Sequence, residues 1–131
     1  MFLIKTIQFA ARSNIDDSGT WSPEDGHRET PAGMRLANGI AESIADYGCE
    51  LDTGPEWYED ELVRLEISLN GFRFEVMINC GGSPDDCVEY WVSITPCGLT
   101  LRRRRELRSS LLELNQHLLD VMANLSIELD P

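Results

Sequence analysis

The sequence predicts an α+β domain: a two-layer sandwich in which an antiparallel sheet of about four strands carries two helices on one face. Three observations predict it. Residues 61–79 alternate apolar and polar side chains about Asn70-Gly71, the preferred two-residue hairpin turn. Residues 30–48 and 103–125 repeat apolar residues at helical spacing. The order strand, helix, about three strands, helix fits helices gathered on one side of an antiparallel sheet. A chain of 131 residues suits a single domain spanning 1–131.

The elements follow in order. Residues 2–11 are apolar and β-prone around Ile4, Ile7 and Phe9, and predict a first strand. Residues 12–29 are polar, rich in turn formers and contain Trp21. Connections this long are uncommon in a compact domain unless they serve function, so this stretch is read as a recognition loop. Thr30 suits a helix N-cap and Pro31 the first helical position. Leu36, Ala37, Ile40, Ala41, Ile44 and Ala45 then share one helical face, and Gly48 is placed to end the helix. Gly33 and Gly39 each weaken such a helix by about 1 kcal/mol relative to Ala. Close packing of the helix on the sheet would account for them.

The hairpin register follows from its turn. Leu69 faces Phe72, Ile67 faces Phe74, Leu65 faces Val76 and Val63 faces Ile78, all apolar. A slip of one residue would move this set to the wrong face. The opposite face carries Arg64, Glu66, Ser68, Arg73, Glu75 and Met77, with Glu66 opposite Glu75 and the arginines on the diagonals. A further strand spans 87–95. Val88, Tyr90, Val92 and Ile94 share its core parity, which puts Trp91 on the polar face. The stretch 80–86, "CGGSPDD", is a loop. In the second helix Leu107, Leu111, Leu114, Leu118, Val121, Met122 and Leu125 form the apolar stripe. It has two candidate starts: Ser110 with Glu113 as a capping box, or the neighbourhood of Arg103.

Chemistry is sparse. The N-terminal apolar run is short, is broken by Lys5, Thr6 and Gln8 and lacks a basic lead, so no signal peptide is expected. No stretch approaches the length of a membrane span. Cys49, Cys80, Cys87 and Cys97 then read as reduced thiols of a cytoplasmic protein, although Cys80 and Cys87 flank a loop and could meet across a strand pair. The cysteines form no C-x-x-C pair and neither His27 nor His117 completes a ligand set, so no metal or cofactor is expected. Nothing local pairs a cysteine with a histidine as nucleophile and base. Adjacent acids at Asp16-Asp17, Glu24-Asp25, Glu59–Glu61 and Asp85-Asp86 read as solvated surface. The basic run Arg102–Arg105 reads as charge balance, with an anion site or a clamp on acidic loops as the alternatives.

Charge is the dominant signal. There are 23 acidic residues against 11 basic, a formal net charge of −12. Such a surface repels nucleic acid and anionic membrane and steers the molecule toward a basic protein. Acids surround aromatics at two places, Trp21 with Glu24 and Asp25, and Trp57-Tyr58 with Glu59 and Asp60. Interface centres favour aromatics. The candidate partner-binding residues are therefore Trp21, Glu24, Asp25, Trp57, Tyr58, Glu59, Asp60, Asp85 and Asp86. In size, acidity and element order the whole chain resembles the immunity proteins of bacterial polymorphic-toxin systems. The stretch "TWSPEDG", followed by "ETPAG" and a helix ending at Gly, also looks like a pattern in bacterial proteins. The resemblance implies a non-enzymatic protein that neutralises a cognate basic toxin domain by blocking its active site or a nearby surface. Two other classes stay open. One is a small-molecule binding domain or enzyme using the open sheet face at Arg64, Arg73, Glu75 and Trp91. The other is a structural subunit whose sheet face pairs in a larger assembly.

Overall fold

The computed structural model describes residues 7–13, 20–21, 28–30, 33–58, 62–82, 88–98, 103–125 and 128–129, with side chains described for 33–57, 62–79, 90–98 and 103–125. The elements are β1 (Ile7–Ser13), β2 (Thr20–Trp21), β3 (Arg28–Thr30), α1 (Met34–Ser43), β4 (Glu50–Tyr58), β5 (Leu62–Leu69), β6 (Phe72–Gly82), β7 (Val88–Pro96), α2 (Arg104–Asn124) and β8 (Glu128–Leu129). A short 3-10 turn, Ile44–Tyr47, continues α1. The large sheet runs β4-β5-β6-β7-β1-β8 with every neighbouring pair antiparallel. The expected α+β sandwich is observed. Its four expected strands are present, and β4 and β8 extend the sheet at its two sides.

The β5–β6 hairpin has the register its turn dictates, with Leu69 opposite Phe72, Ile67 opposite Phe74, Leu65 opposite Val76 and Val63 opposite Ile78. Asn70 and Gly71 both take positive φ, 56° and 85°, the mirror-image turn that matches strand twist. Strand β7 adds Ile94 opposite Val76 and Val92 opposite Ile78. These side chains are buried with Leu36, Ala37, Ile40 and Ile44 of the first helical segment and the stripe Leu107 to Met122 of α2. Both helices thus cover one face of the sheet. Removing any one of these large side chains costs about 2–5 kcal/mol.

Several details differ from expectation, each for a physical reason. Thr30 does not cap α1; it ends β3, opposite Thr20 of β2, and so the stretch 12–29 carries a small strand pair as well as the end of β1. The helix starts three residues later, at Met34, because Gly33 supplies the left-handed N-cap conformation, φ 90°. Gly48 ends the segment as expected. Ala45 is exposed, since the tighter 3-10 turn rotates it off the buried face. Gly39 is explained by α2 and not by the sheet: a Cβ there would fall 2.7 Å from the Leu125 side chain. Of the two starts for α2, the one at Arg103 is observed. Ser110 lies inside the helix, 3% exposed, and serves the hairpin instead. The Asn70 amide donates to Ser110 Oγ and to Glu113 Oε2, each at 3.0 Å, and pins the turn to α2.

Strand β4 is irregular, with register shifts between Leu51 and Thr53 and between Thr53 and Glu56. Gly54 makes this possible. Its φ is 97°, and a Cβ would lie 2.5 Å from the Arg64 carbonyl oxygen, a backbone atom that cannot step aside. Gly48, at φ 78°, has no atom within 4 Å of such a Cβ. Gly48→Ala is therefore expected to cost only the left-handed penalty, about 1–2 kcal/mol. Gly54→Ala should cost more than about 3 kcal/mol, because collision adds to strain. Urea unfolding of the two variants compares them directly.

Candidate functional site: the open face of the sheet

The strand register lays the uncovered face out in rows. Leu62, Asn79 and Trp91 occupy one row across the sheet, in register with Tyr58 of β4 and Ala10 of β1. Glu56, Arg64, Met77 and Ser93 occupy the next. Thr53, Glu66, Glu75 and Thr95 form the third. Each row stands two residues, about 7 Å, from its neighbour.

An ion-pair lattice fills the centre. Glu66 directly opposes Glu75, an arrangement that is unfavourable alone. Arg64 resolves it. Its Nε donates to Glu75 Oε2 at 2.7 Å, one terminal nitrogen to Glu56 Oε1 at 2.7 Å, and the other to Glu66 Oε1. The hydrogen bonds to Glu75 and then Glu56 raise its pKa above the ordinary arginine value; partial burial opposes this, and the charges of Glu66 and Glu75 add to it. Arg73 is held more loosely, 3.5 Å from Asp52 and 3.9 Å from Glu66, and its side chain is 57% exposed. Ser68 donates to the same Asp52 oxygen. Among the described residues four carboxylates thus face two guanidiniums, an excess of two negative charges. The residues Arg64, Arg73, Glu75 and Trp91, expected on one face, share it. Sequence reasoning missed Glu56 and Asp52 as members, because β4 was not foreseen. Glu66 was placed on this face, but not as a site residue.

Trp91 is 49% exposed on this face, and Trp57 is 45% exposed. The two do not form one patch: Trp57 pairs with the core residue Val63 and so has the helix-side parity, whereas Trp91 pairs with Asn79 on the open side. Of the other expected partner-binding residues, Trp21 lies in β2 and Tyr58 ends β4. Glu24, Asp25, Glu59, Asp60, Asp85 and Asp86 lie outside the described residues.

The basic run sits at the start of α2. Arg103 binds Glu106 through Nε at 2.6 Å and stacks over Phe72 at 4.7 Å. It therefore makes contacts within its own helix and with the hairpin. A shallow cleft of about 410 Å³ lies there, lined by Asn70, Phe72, Arg103, Arg105, Glu106 and Ser110. Arg102 lies outside the described residues.

Among the described residues, Cys49 and His117 are packed against the rest of the fold. Cys49 is 7% exposed. Burial, with Glu113 adding, pushes its thiol up to about 11, so its thiolate is scarce at neutral pH. Cys97 is exposed; partial desolvation of its sulfur, with Glu66 and Glu75 adding and Arg64 and Arg73 opposing, raises its thiol. A pairing of Cys80 with Cys87 falls outside the described side chains, as does His27. His117 packs on Tyr47 with ring centroids 5.2 Å apart. Among the described residues no group of three or more His, Cys, Asp or Glu is arranged to hold a metal ion, and no helix is long and apolar enough to cross a membrane. Compared with known proteins, the chain matches no family model, no curated protein and no solved structure.

Arg64→Met should leave Glu66 and Glu75 opposed with no cation between them. We expect a stability loss of about 1–2 kcal/mol at pH 7, discounted for solvent screening. It should shrink in molar salt; urea midpoints at low and high salt measure it. Cys49 gives a pH dependence. Its folded pKa lies above the unfolded value near 9, so the thiol's contribution is complete below pH 9 and is lost as pH rises toward 11. At pH 10 wild type should have lost about 1 kcal/mol more than Cys49→Ala has, each relative to pH 8.

Proposed function

We propose that this chain is a non-enzymatic acidic binding protein that captures a basic protein, acting as an immunity protein does on a toxin domain. The observation that carries the reading is Trp57, 45% exposed within the acid-rich segment 56–61, on a molecule of net charge −12. Large aromatics with surrounding charge are the composition of interface centres and their rims. Long-range attraction would speed encounter with a cationic partner, and short-range packing on that indole would hold it. Such a role fits a cytoplasmic protein with reduced cysteines.

The lattice argues against a small anionic ligand at the open face. Arg64 already meets three carboxylates, so a metabolite's acid group would have to displace internal partners and enter a field of excess negative charge. A structural subunit would show itself as a discrete oligomer in light scattering.

The experiment is affinity capture from extract of the native cell, with each retained protein identified. We expect a cationic protein held at about 50 mM salt and released at high salt, where charge is screened. Glu59→Lys with Asp60→Lys should weaken that capture and flatten its salt dependence. Retention of acidic or neutral partners only, or capture unchanged in the charge-reversed variant, would count against the reading.

A further inference from the structure

We propose that Asn70-Gly71 is a site of spontaneous deamidation that α2 holds in check, and that the modification, once made, releases the hairpin turn from the helix. The chain contains two Asn-Gly pairs, Asn38-Gly39 and Asn70-Gly71. Glycine puts no side chain in the way when its own amide nitrogen attacks the preceding asparagine, so such pairs are the most open to the reaction.

The fold separates the two pairs. Gly39 lies inside α1, where each backbone amide is tied to the carbonyl four residues back. Gly71 is the second residue of a two-residue turn, where the closing ladder bonds belong to Leu69 and Phe72 and leave its amide unused. Asn70 is exposed, so water reaches the pair. Arg103 stands beside it, with Nη1 3.9 Å from where a Gly71 Cβ would lie, and positive charge there favours loss of the Gly71 amide proton.

The deprotonated Gly71 nitrogen attacks Asn70 Cγ. A nitrogen–carbon bond forms, the bond from Cγ to the side-chain nitrogen breaks, and that nitrogen takes a proton from water and leaves as ammonia. One water then opens the cyclic imide, at Cγ to give aspartate or at the main-chain carbonyl to give isoaspartate. Two contacts restrain the first step. The Asn70 side-chain nitrogen donates to Ser110 Oγ and to Glu113 Oε2, each at 3.0 Å, so the amide that must swing onto Gly71 is tied to α2. The product cannot remake the tie. Its carboxylate has no proton to donate; Ser110 can turn its hydroxyl to donate instead, but Glu113 cannot, and two carboxylates face each other. Isoaspartate also lengthens the main chain of the turn that sets the register. Loss of ammonia makes the release one-way.

The test maps both Asn-Gly peptides of the full chain held folded at pH 8, where conversion exchanges an amino group for a hydroxyl and changes the peptide's mass. Ser110→Ala with Glu113→Ala should speed conversion at Asn70 about ten-fold or more, the factor two hydrogen bonds supply. Circular dichroism verifies that this variant keeps its fold. Asn38 should stay unconverted in the same sample. Gly48→Ala weakens the chain away from the turn and should convert Asn70 at close to the wild-type rate. No acceleration in the double variant, equal acceleration in Gly48→Ala, or conversion of Asn38 as fast as Asn70 would overturn the proposal. Asn70→Asp reproduces one product. Hydrogen exchange of the amides at 109–114 should be about five-fold or more faster in it than in wild type. Adding Glu113→Gln, which supplies a donor, should restore most of the protection. Unchanged exchange in Asn70→Asp, or no rescue by Glu113→Gln, would show that the modification does not free the helix.

Discussion

The two residues Asn70 and Gly71 fix the parity of the sheet. Their positive φ angles close a hairpin in which each apolar residue of β5 meets an apolar residue of β6. Core and open face are both consequences of that register. A shift by one residue would carry Leu65 and Val76 into water and bring Arg64 and Glu75 under the helices. The Asn70 amide also reaches α2 at Ser110 and Glu113, so the turn that sets strand register holds the helix that covers the strands. A local conformational preference thereby becomes a long-range contact.

With parity fixed, the two faces follow different physics. The covered face is held by apolar burial and close packing. The open face is held by an electrostatic compromise around Glu66 and Glu75, which oppose each other and tolerate it because Arg64 lies between them and Glu56. The compromise is incomplete. Among the described residues two negative charges remain, and the outer arginine is loosely held. Imperfectly balanced charge at a water-facing surface costs little in the free molecule.

How legible this was in the sequence depended on the range of the interactions. The hairpin, the parity of Trp91 and the stripe of α2 depend on spacing within one segment, and the sequence reading anticipated them. Long-range partners stayed hidden. Ser110 and Glu113 have capping-box spacing, yet their partner is Asn70, some 40 residues earlier. Thr30 and Pro31 look like a helix start, but pairing with β2 claims Thr30 and the helix waits for Gly33. Strand β4 was unreadable because two register shifts break its alternation, and with it were lost Glu56 and Asp52, half of the carboxylates in the lattice.

The same irregular strand bears on how the chain behaves at high concentration. β4 closes one side of the sheet, where backbone amides and carbonyls would otherwise template another strand. Its shifts bend that border, Pro55 removes a donor from it, and Glu50, Asp52 and Glu56 place like charge along it. A second molecule arriving at this border meets a curved, acidic margin that disfavours strand addition there.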